Sequence, residues 1–408
     1  MVTIDPGDHA AAPATAPANP PCPTPPEPSL APVDLLANYG DLIDLTQVQR
    51  VLVILLRHIG DVILTTPVFS VLQNRHPHLR IDALVNEGTE GMLADNPHIN
   101  VVHVLRRQQL KQKGLWHRIH GEWRLLRQIR QARYNLAISL TGGERSTTLA
   151  FLARIPLFVS ARGGNTLLGG WIHPVTHLVR HTGYRRHYVE RHLDCLRHIG
   201  VHPTPEERRL QLYDGHAEQT RAEQLVQEMI RQGQEDGRFI LYHPTSRWMF
   251  KAWPSACAAA LVDRLATHPG LPVVLTASPD AREMAYIQGM QGRMQARVIN
   301  LAGQLTLREL VAMIRRATLF VGVDSAPMHM AAAVGTPVVA LFGPSSEWDW
   351  GPWCTHQQVV ASTRHPCRPC NMDGCGGGKV SDCLTTLPVE TVHQAILRLL
   401  EPLDPQGP

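Results

Sequence analysis

No apolar run in this chain approaches the roughly 18 residues that a bilayer crossing needs, so no transmembrane helix is expected. The first residues include Asp5 and Asp8 and form no apolar core, which does not read as a signal peptide. A cytoplasmic protein is the expectation. No Asp-x-Asp triplet is present, so the usual carboxylate bridge between a metal ion and a diphosphate is missing. Neither a G-x-x-x-x-G-K-[ST] phosphate loop nor a G-x-G-x-x-G fingerprint occurs, which argues against an NTPase and a dinucleotide oxidoreductase. Aromatic residues make up only 5%, and no nucleic-acid motif or aromatic stacking pattern accompanies the basic stretches. Nucleic acid is therefore not the expected partner.

What is there reads as a globular α/β protein. The 408 residues allow two ordinary domains, and a hydrophobic content of 44% can fill both cores. Residues 1–48 open Pro- and Ala-rich (AAPATAPANPPCPTPPEPSLAP) and cannot bury enough apolar surface to order, so they read as a tail. Residues 50–56 (RVLVILL) make a first strand that runs into Arg57-His58-Ile59-Gly60-Asp61, where Gly60 permits a tight strand-to-helix turn. The helix after it carries Ile63, Val68, Val71 and Leu72 on its apolar positions. Strands at 81–85, 101–105 and 135–140 alternate with helical patterns, which gives a doubly wound parallel sheet over 49–232. The flexible break QGQEDG at 232–237 marks the domain boundary. A second strand series follows over 233–388 (239–242, 272–277, 297–301, 319–323, 337–342), and 389–408 form a closing helix and tail. That helix is expected to cross back to the first domain.

The stretch at 319–343 (LFVGVDSAPMHMAAAVGTPVVALFG) organises the second half. A buried strand meets a turn of small residues, Pro327 opens a helix where a missing N–H costs nothing, and Gly335 ends it. The amino end of that helix, with its free N–H groups and dipole, is an anion site. Asp324 at the strand tip and His329 on the first turn are placed to face the same crevice, although an aspartate there would also serve as a helix cap. The same choice between cap and chemistry applies to Asp61. Between 106 and 133 nine basic residues (Arg106, Arg107, Lys111, Lys113, Arg118, Arg124, Arg127, Arg130, Arg133) face one acid, Glu122. A second basic, His-rich segment covers 177–198. Such segments are solvated helix faces or surfaces for anionic lipid or phosphorylated glycan. Cys367, Cys370, Cys375 and Cys383 have a spacing that would satisfy a structural zinc, though thiols or a disulfide clip fit as well.

Three blocks in order, LLRHIGDVILTTPVFSVL, HPTSRWMFKAWP and FVGVDSAPMHMAAAVGTPVVALFGP, resemble the heptosyltransferases of the lipopolysaccharide inner core, glycosyltransferase family 9. The resemblance covers about residues 50–400 and is closest to the heptosyltransferase III branch. It implies the GT-B fold, two Rossmann-like doubly wound domains facing a cleft, with acceptor on the first and ADP-sugar on the second. It implies inverting transfer from ADP-L-glycero-D-manno-heptose to a lipid-anchored core oligosaccharide, with no cofactor or metal required. An inverting transfer needs a base for the acceptor hydroxyl and a holder for the charge of the departing diphosphate. By resemblance Asp61 is the base and Lys251 contacts the donor phosphates. Thr245 and Ser246 precede that lysine, and Ser325 with Ala326 form the diphosphate turn. Asp324 holds the donor sugar, His329 sits beside the phosphates, and Leu305 packs on adenine. Arg57, Arg106 and Arg107 are the acceptor candidates. A monomer on the cytoplasmic face of the inner membrane is expected, the basic segment docking on anionic core glycolipid. A family 9 transferase for another core sugar or acceptor, and a non-catalytic nucleotide-sugar binder, are the alternatives.

Overall fold

Two six-stranded, all-parallel sheets carry the fold. The computed structural model describes residues 42–106, 115–161, 175–179, 185–232 and 237–401. Most of the expected tail, the candidate Arg107, and Lys111, Lys113 and Arg180 of the basic segments lie outside the described residues, as does much of the expected break at 232–237.

The first sheet comprises β1 (Arg50–Leu55), β2 (Arg80–Asn86), β3 (Val101–Leu105), β4 (Leu136–Ser139), β5 (Leu157–Ser160) and β6 (His177–Leu178), in the order β3-β2-β1-β4-β5-β6. The second comprises β7 (Ile240–His243), β8 (Val273–Leu275), β9 (Ile299–Asn300), β10 (Leu319–Val323), β11 (Val338–Phe342) and β12 (Gln357–Ala361), in the order β12-β11-β10-β7-β8-β9. Each order reverses once, between β1 and β4 and between β7 and β10. Ligands of open parallel sheets bind at such reversals, at the carboxyl ends of the strands. The central strands are buried on both faces, which explains the unbroken apolar runs VLVIL and LFVGV.

The connecting helices are α1 (Ile59–Ile63), α2 (Thr66–Arg75), α3 (Leu115–Ala132), α4 (Glu144–Ala153), α5 (Tyr188–Arg197), α6 (His216–Arg231), α7 (Ser255–Thr267), α8 (Ala281–Gln291), α9 (Leu307–Arg316), α10 (Ala326–Val334), α11 (Glu347–Trp350), α12 (Asp382–Thr385) and α13 (Val389–Leu400). The single helix expected after β1 is two, α1 and α2, broken at Leu64 and Thr65. Pro67 sits in the first turn of α2, where its missing N–H is harmless, but it disfavours a continuous helix before it.

The closing helix does not cross to the first sheet. Val392, Ala395 and Ile396 of α13 pack with Leu261, Val262 and Leu265 of α7 in the apolar core of the second sheet. Its apolar stripe matches that surface, and Glu390 pairs with Arg264 there. The two halves are instead joined by a continuous core running from β1 and α2 to α9 and α10. Residues of α5 add polar ties: Arg191 to Asp349 at 2.9 Å, and the Tyr188 ring stacked on Trp350 at 3.7 Å.

Candidate active site

At the reversal of the second sheet, β7 and β10 end side by side. The chain after β7 runs through Pro244, Thr245 and Ser246 to a single helical turn, Met249–Lys251. The Lys251 ammonium lies 2.6 Å from the Asp324 carboxylate at the tip of β10. Asp324 is almost wholly buried and is not a helix cap; the cap position of α10 belongs to Ser325. The Ser325 hydroxyl turns back to the Val323 carbonyl at 3.2 Å. Pro327 has no N–H, and the amides of Ser325 and Ala326 have no acceptor among the described residues. A cation and a helix amino end therefore converge on one spot, the arrangement an anion requires.

His329 sits in the first turn of α10 with its ring buried, and burial holds its pKa down to about 4. Asp324 pulls that value up and Lys251 pushes it down. The imidazole is neutral at physiological pH, and Nδ1 has no hydrogen-bond partner among the described residues. Its carbon edge meets the other half of the molecule: a Cβ on Gly60 would stand 3.0 Å from His329 Cδ2 and 3.8 Å from Ala326 Cα. Glycine is what lets α1 approach α10 so closely.

Asp61 follows Gly60 in α1. Its carboxyl is buried, and burial raises its pKa against the pull of Arg57, His58 and the backbone. The His58 N–H donates to Oδ2 at 3.2 Å, so a local capping bond occupies one oxygen. A carboxylate raised towards neutrality suits proton abstraction better than an ordinary aspartate. At the reversal of the first sheet opens a cavity of about 540 Å³ lined by Arg57, Asn86, Thr141, Gly142, Gly143 and Arg145 among others. Arg106 is exposed at the carboxyl end of β3.

Not every expected residue reaches this space. Thr245 is fully buried, and its hydroxyl donates to Glu283 Oε2 at 2.6 Å. Ser246 is nearly buried and accepts the Trp248 N–H at 3.3 Å. The Thr245 hydroxyl is committed to Glu283 and is not presented to the cleft, while the Ser246 hydroxyl braces the Lys251 loop. Leu305 is partly buried and leans on the shared core ahead of α9. Glu283 went unnoticed in the sequence. It also accepts the Ser278 hydroxyl at 2.5 Å and the Ser278 N–H at 3.2 Å, so one carboxylate ties the loops after β7 and β8.

Cys367, Cys370 and Cys375 are exposed, and Cys383 is buried. Among the described residues no three His, Cys, Asp or Glu side chains gather closely enough to hold a metal. The loop has a structural contact all the same: the Ser381 hydroxyl donates to the Phe250 carbonyl at 2.6 Å, bracing the Lys251 turn. A larger hollow of about 800 Å³ lies between α6 and α9. In its wall Arg315 pairs with Asp214 and Arg316 with Glu223, and none of the groups above lines it.

Residues 122–380 match the sequence profile of glycosyltransferase family 9 (heptosyltransferase). Lipopolysaccharide heptosyltransferase 3 of Escherichia coli is 33% identical over 299 residues, covering 73% of this chain and 84% of that protein. The structure of a family 9 glycosyl transferase from Veillonella parvula superposes with a TM-score of 0.73 at 25% identity, covering 89% of this chain and 99% of that one. Heptosyltransferase WaaC of E. coli, solved with ADP, superposes with a TM-score of 0.65 at 17% identity, covering 86% and 99%. The two parallel sheets and these likenesses make the fold GT-B.

Proposed function

The chain belongs to glycosyltransferase family 9, and from that premise we propose that it moves a heptose from ADP-L-glycero-D-manno-heptose onto the inner core of lipopolysaccharide, as the third heptose. The observation that carries this is the seam of α1 on α10. Through Gly60 the turn that carries Asp61 rests on the His329 edge of α10, and the Lys251–Asp324 pair stands at the amino end of that same helix.

In this reading Asp61 takes the proton of an acceptor hydroxyl whose oxygen attacks the anomeric carbon from the face opposite the diphosphate. The bond to the diphosphate breaks, configuration inverts, and ADP leaves. Lys251 turns from Asp324 to the phosphates, together with the amides of Ser325 and Ala326, and meets the growing charge. Asp324, released from its ion pair, accepts the sugar hydroxyls. Acceptor sugars lie in the cavity lined by Arg57, within reach of their own anionic groups. We extend the proposal to a metal-free, monomeric enzyme working at the cytoplasmic face of the inner membrane. None of the described helices is long and apolar enough to cross it.

The test is ADP release with purified core acceptors of stepwise increasing length, for wild type and Lys251→Ala. Release should begin once the acceptor carries two heptoses, and Lys251→Ala should lose both ADP affinity and turnover. No release on any acceptor would end the assignment. Unchanged ADP binding and turnover in the variant would end the phosphate role.

A further inference from the structure

Helix α3 has two apolar faces, and among the described residues only one is covered. Leu125 and Ile129 are buried against Leu52, Leu105 and Tyr134 on the first sheet. On the opposite side Trp116, Ile119 and Trp123 are 83%, 51% and 54% exposed. They recur at intervals of three and four residues, as does the continuation of the same stripe, Arg127 and Arg130. Arg124 flanks it, and all three arginines are exposed and without a carboxylate partner among the described residues. Arg127 stands over the Trp123 ring, 5.4 Å from its centre.

Two exposed tryptophans and an isoleucine on one helical stripe exceed what a solvated helix needs. A face of that kind marks a contact surface. Its chemistry selects the occupant. Tryptophan is the side chain that settles at the boundary between headgroups and acyl chains. Arginines continuing the stripe supply attraction for an anionic surface, and their stems can lie along apolar ground while the guanidinium stays wet. A protein partner would call for acidic groups set against Arg124, Arg127 and Arg130. A bilayer with anionic headgroups supplies both halves at once. We propose that the outward face of α3 lies in the plane of an anionic lipid bilayer, with Trp116, Ile119 and Trp123 inserted at the interface and Arg124, Arg127 and Arg130 on the headgroups. This deepens the proposed function by naming the surface through which the enzyme meets its lipid-anchored acceptor, and it rests on that reading only for the purpose of docking, not for the docking itself.

Flotation with phosphatidylcholine vesicles, with and without phosphatidylglycerol, tests it on the full chain. Binding should require phosphatidylglycerol and fade with salt as screening sets in. Brominated lipids should quench tryptophan fluorescence in the wild type and much less in a Trp116→Ser/Ile119→Ser/Trp123→Ser variant. That variant should bind tenfold or more weaker (about), and Arg124→Gln/Arg127→Gln/Arg130→Gln on the order of a hundredfold weaker. All six side chains are exposed, so melting temperatures should stay close to wild type, and both variants should match wild type on a detergent-free, delipidated acceptor. Equal flotation of wild type and both variants would overturn the proposal. So would a wild-type dimer, seen by sedimentation, that the serine variant dissociates while neither form floats, since a second copy would then cover the face. If ADP release fails on every acceptor while flotation behaves as stated, the docking surface stands and the transferase assignment falls.

Discussion

At the scale of single residues, burial sets the chemistry of two carboxylates differently. Asp324 is buried beside a lysine at 2.6 Å, so its charge is compensated in place. Asp61 is buried with only a backbone N–H at 3.2 Å and more distant cations, and its pKa rises. The sequence placed each carboxylate at a strand-to-helix turn, where a cap and a catalyst look alike. The structure separates the two roles: Asp324 caps nothing, and Asp61 caps with one oxygen only. Asparagine at 61 can still accept the His58 N–H through its carbonyl oxygen, so Asp61→Asn should fold and bind ADP as wild type does. It should lose roughly 10²–10⁴ in turnover if the base is lost. The acid limb of kcat/KM should lie above the ordinary aspartate range in the wild type, because the free carboxyl must ionise against burial, and it should vanish in the variant. His329, already neutral down to about pH 4, adds no limb near 6.5. Near-wild-type turnover of Asp61→Asn would leave the residue a cap and nothing more.

Elements show what the sequence could and could not disclose. Parallel strands buried on both faces announce themselves as apolar runs, so β1, β10 and β11 were legible to within a residue or two. The edge strands were not. β6 is two residues long, and β12 (QQVVA) is half-buried, so neither leaves a pattern to read. The fate of α13 was missed because an amphipathic stripe states that a helix packs without stating on what. Glu283 was missed for a related reason. It stands in the first turn of α8 after the Asp280 cap, where an acid is ordinary dipole compensation, and its partner Thr245 is 38 residues away. Three donors, Thr245 Oγ1, Ser278 Oγ and Ser278 N, converge on its two oxygens. Glu283→Gln preserves shape but replaces one acceptor by an NH₂ that faces donors, leaving buried hydrogens unpaired at a cost of about 1–3 kcal/mol. The loop carrying Lys251 should lose its anchor. The expected result is a lower melting temperature together with a raised donor KM and a nearly unchanged acceptor KM. A lower melting temperature with both constants unchanged would show that Lys251 is positioned without this cluster.

For the whole molecule, three buried or partly buried histidines span the structure and share one property. His243 lies in the second sheet, its Nδ1 3.0 Å from Thr276 Oγ1. His329 lies on the seam of the two halves. His187 is stacked on Trp353 at 4.5 Å, with Nε2 3.0 Å from the Gly351 carbonyl, and ties the halves together. In each, burial lowers the pKa to about 4. The unfolded chain takes up these protons near the ordinary value of about 6.5, whereas the folded protein refuses them until about pH 4. Between those limits the unfolded state binds more protons, so stability falls as pH falls, by up to about 1.4 kcal/mol per pH unit for each histidine. His187, the least enclosed of the three, contributes least. The carboxylates whose pKa values are lowered, such as Glu190 among its arginines, stay ionised in both states through most of that window and add their loss only below it. Asp61 has the opposite sign, since its raised pKa lets the folded state gain a proton first, but it is one group against three. Chemical denaturation at a series of pH values should therefore show stability declining from about pH 6.5 downward, well before ordinary carboxylates titrate. His243→Gln should flatten part of the decline while keeping a polar contact to Thr276. A wild-type curve that stays level until pH 4.5 would mean that these imidazoles accept protons in the folded protein, and His329 could then no longer stand in the cleft as a neutral group.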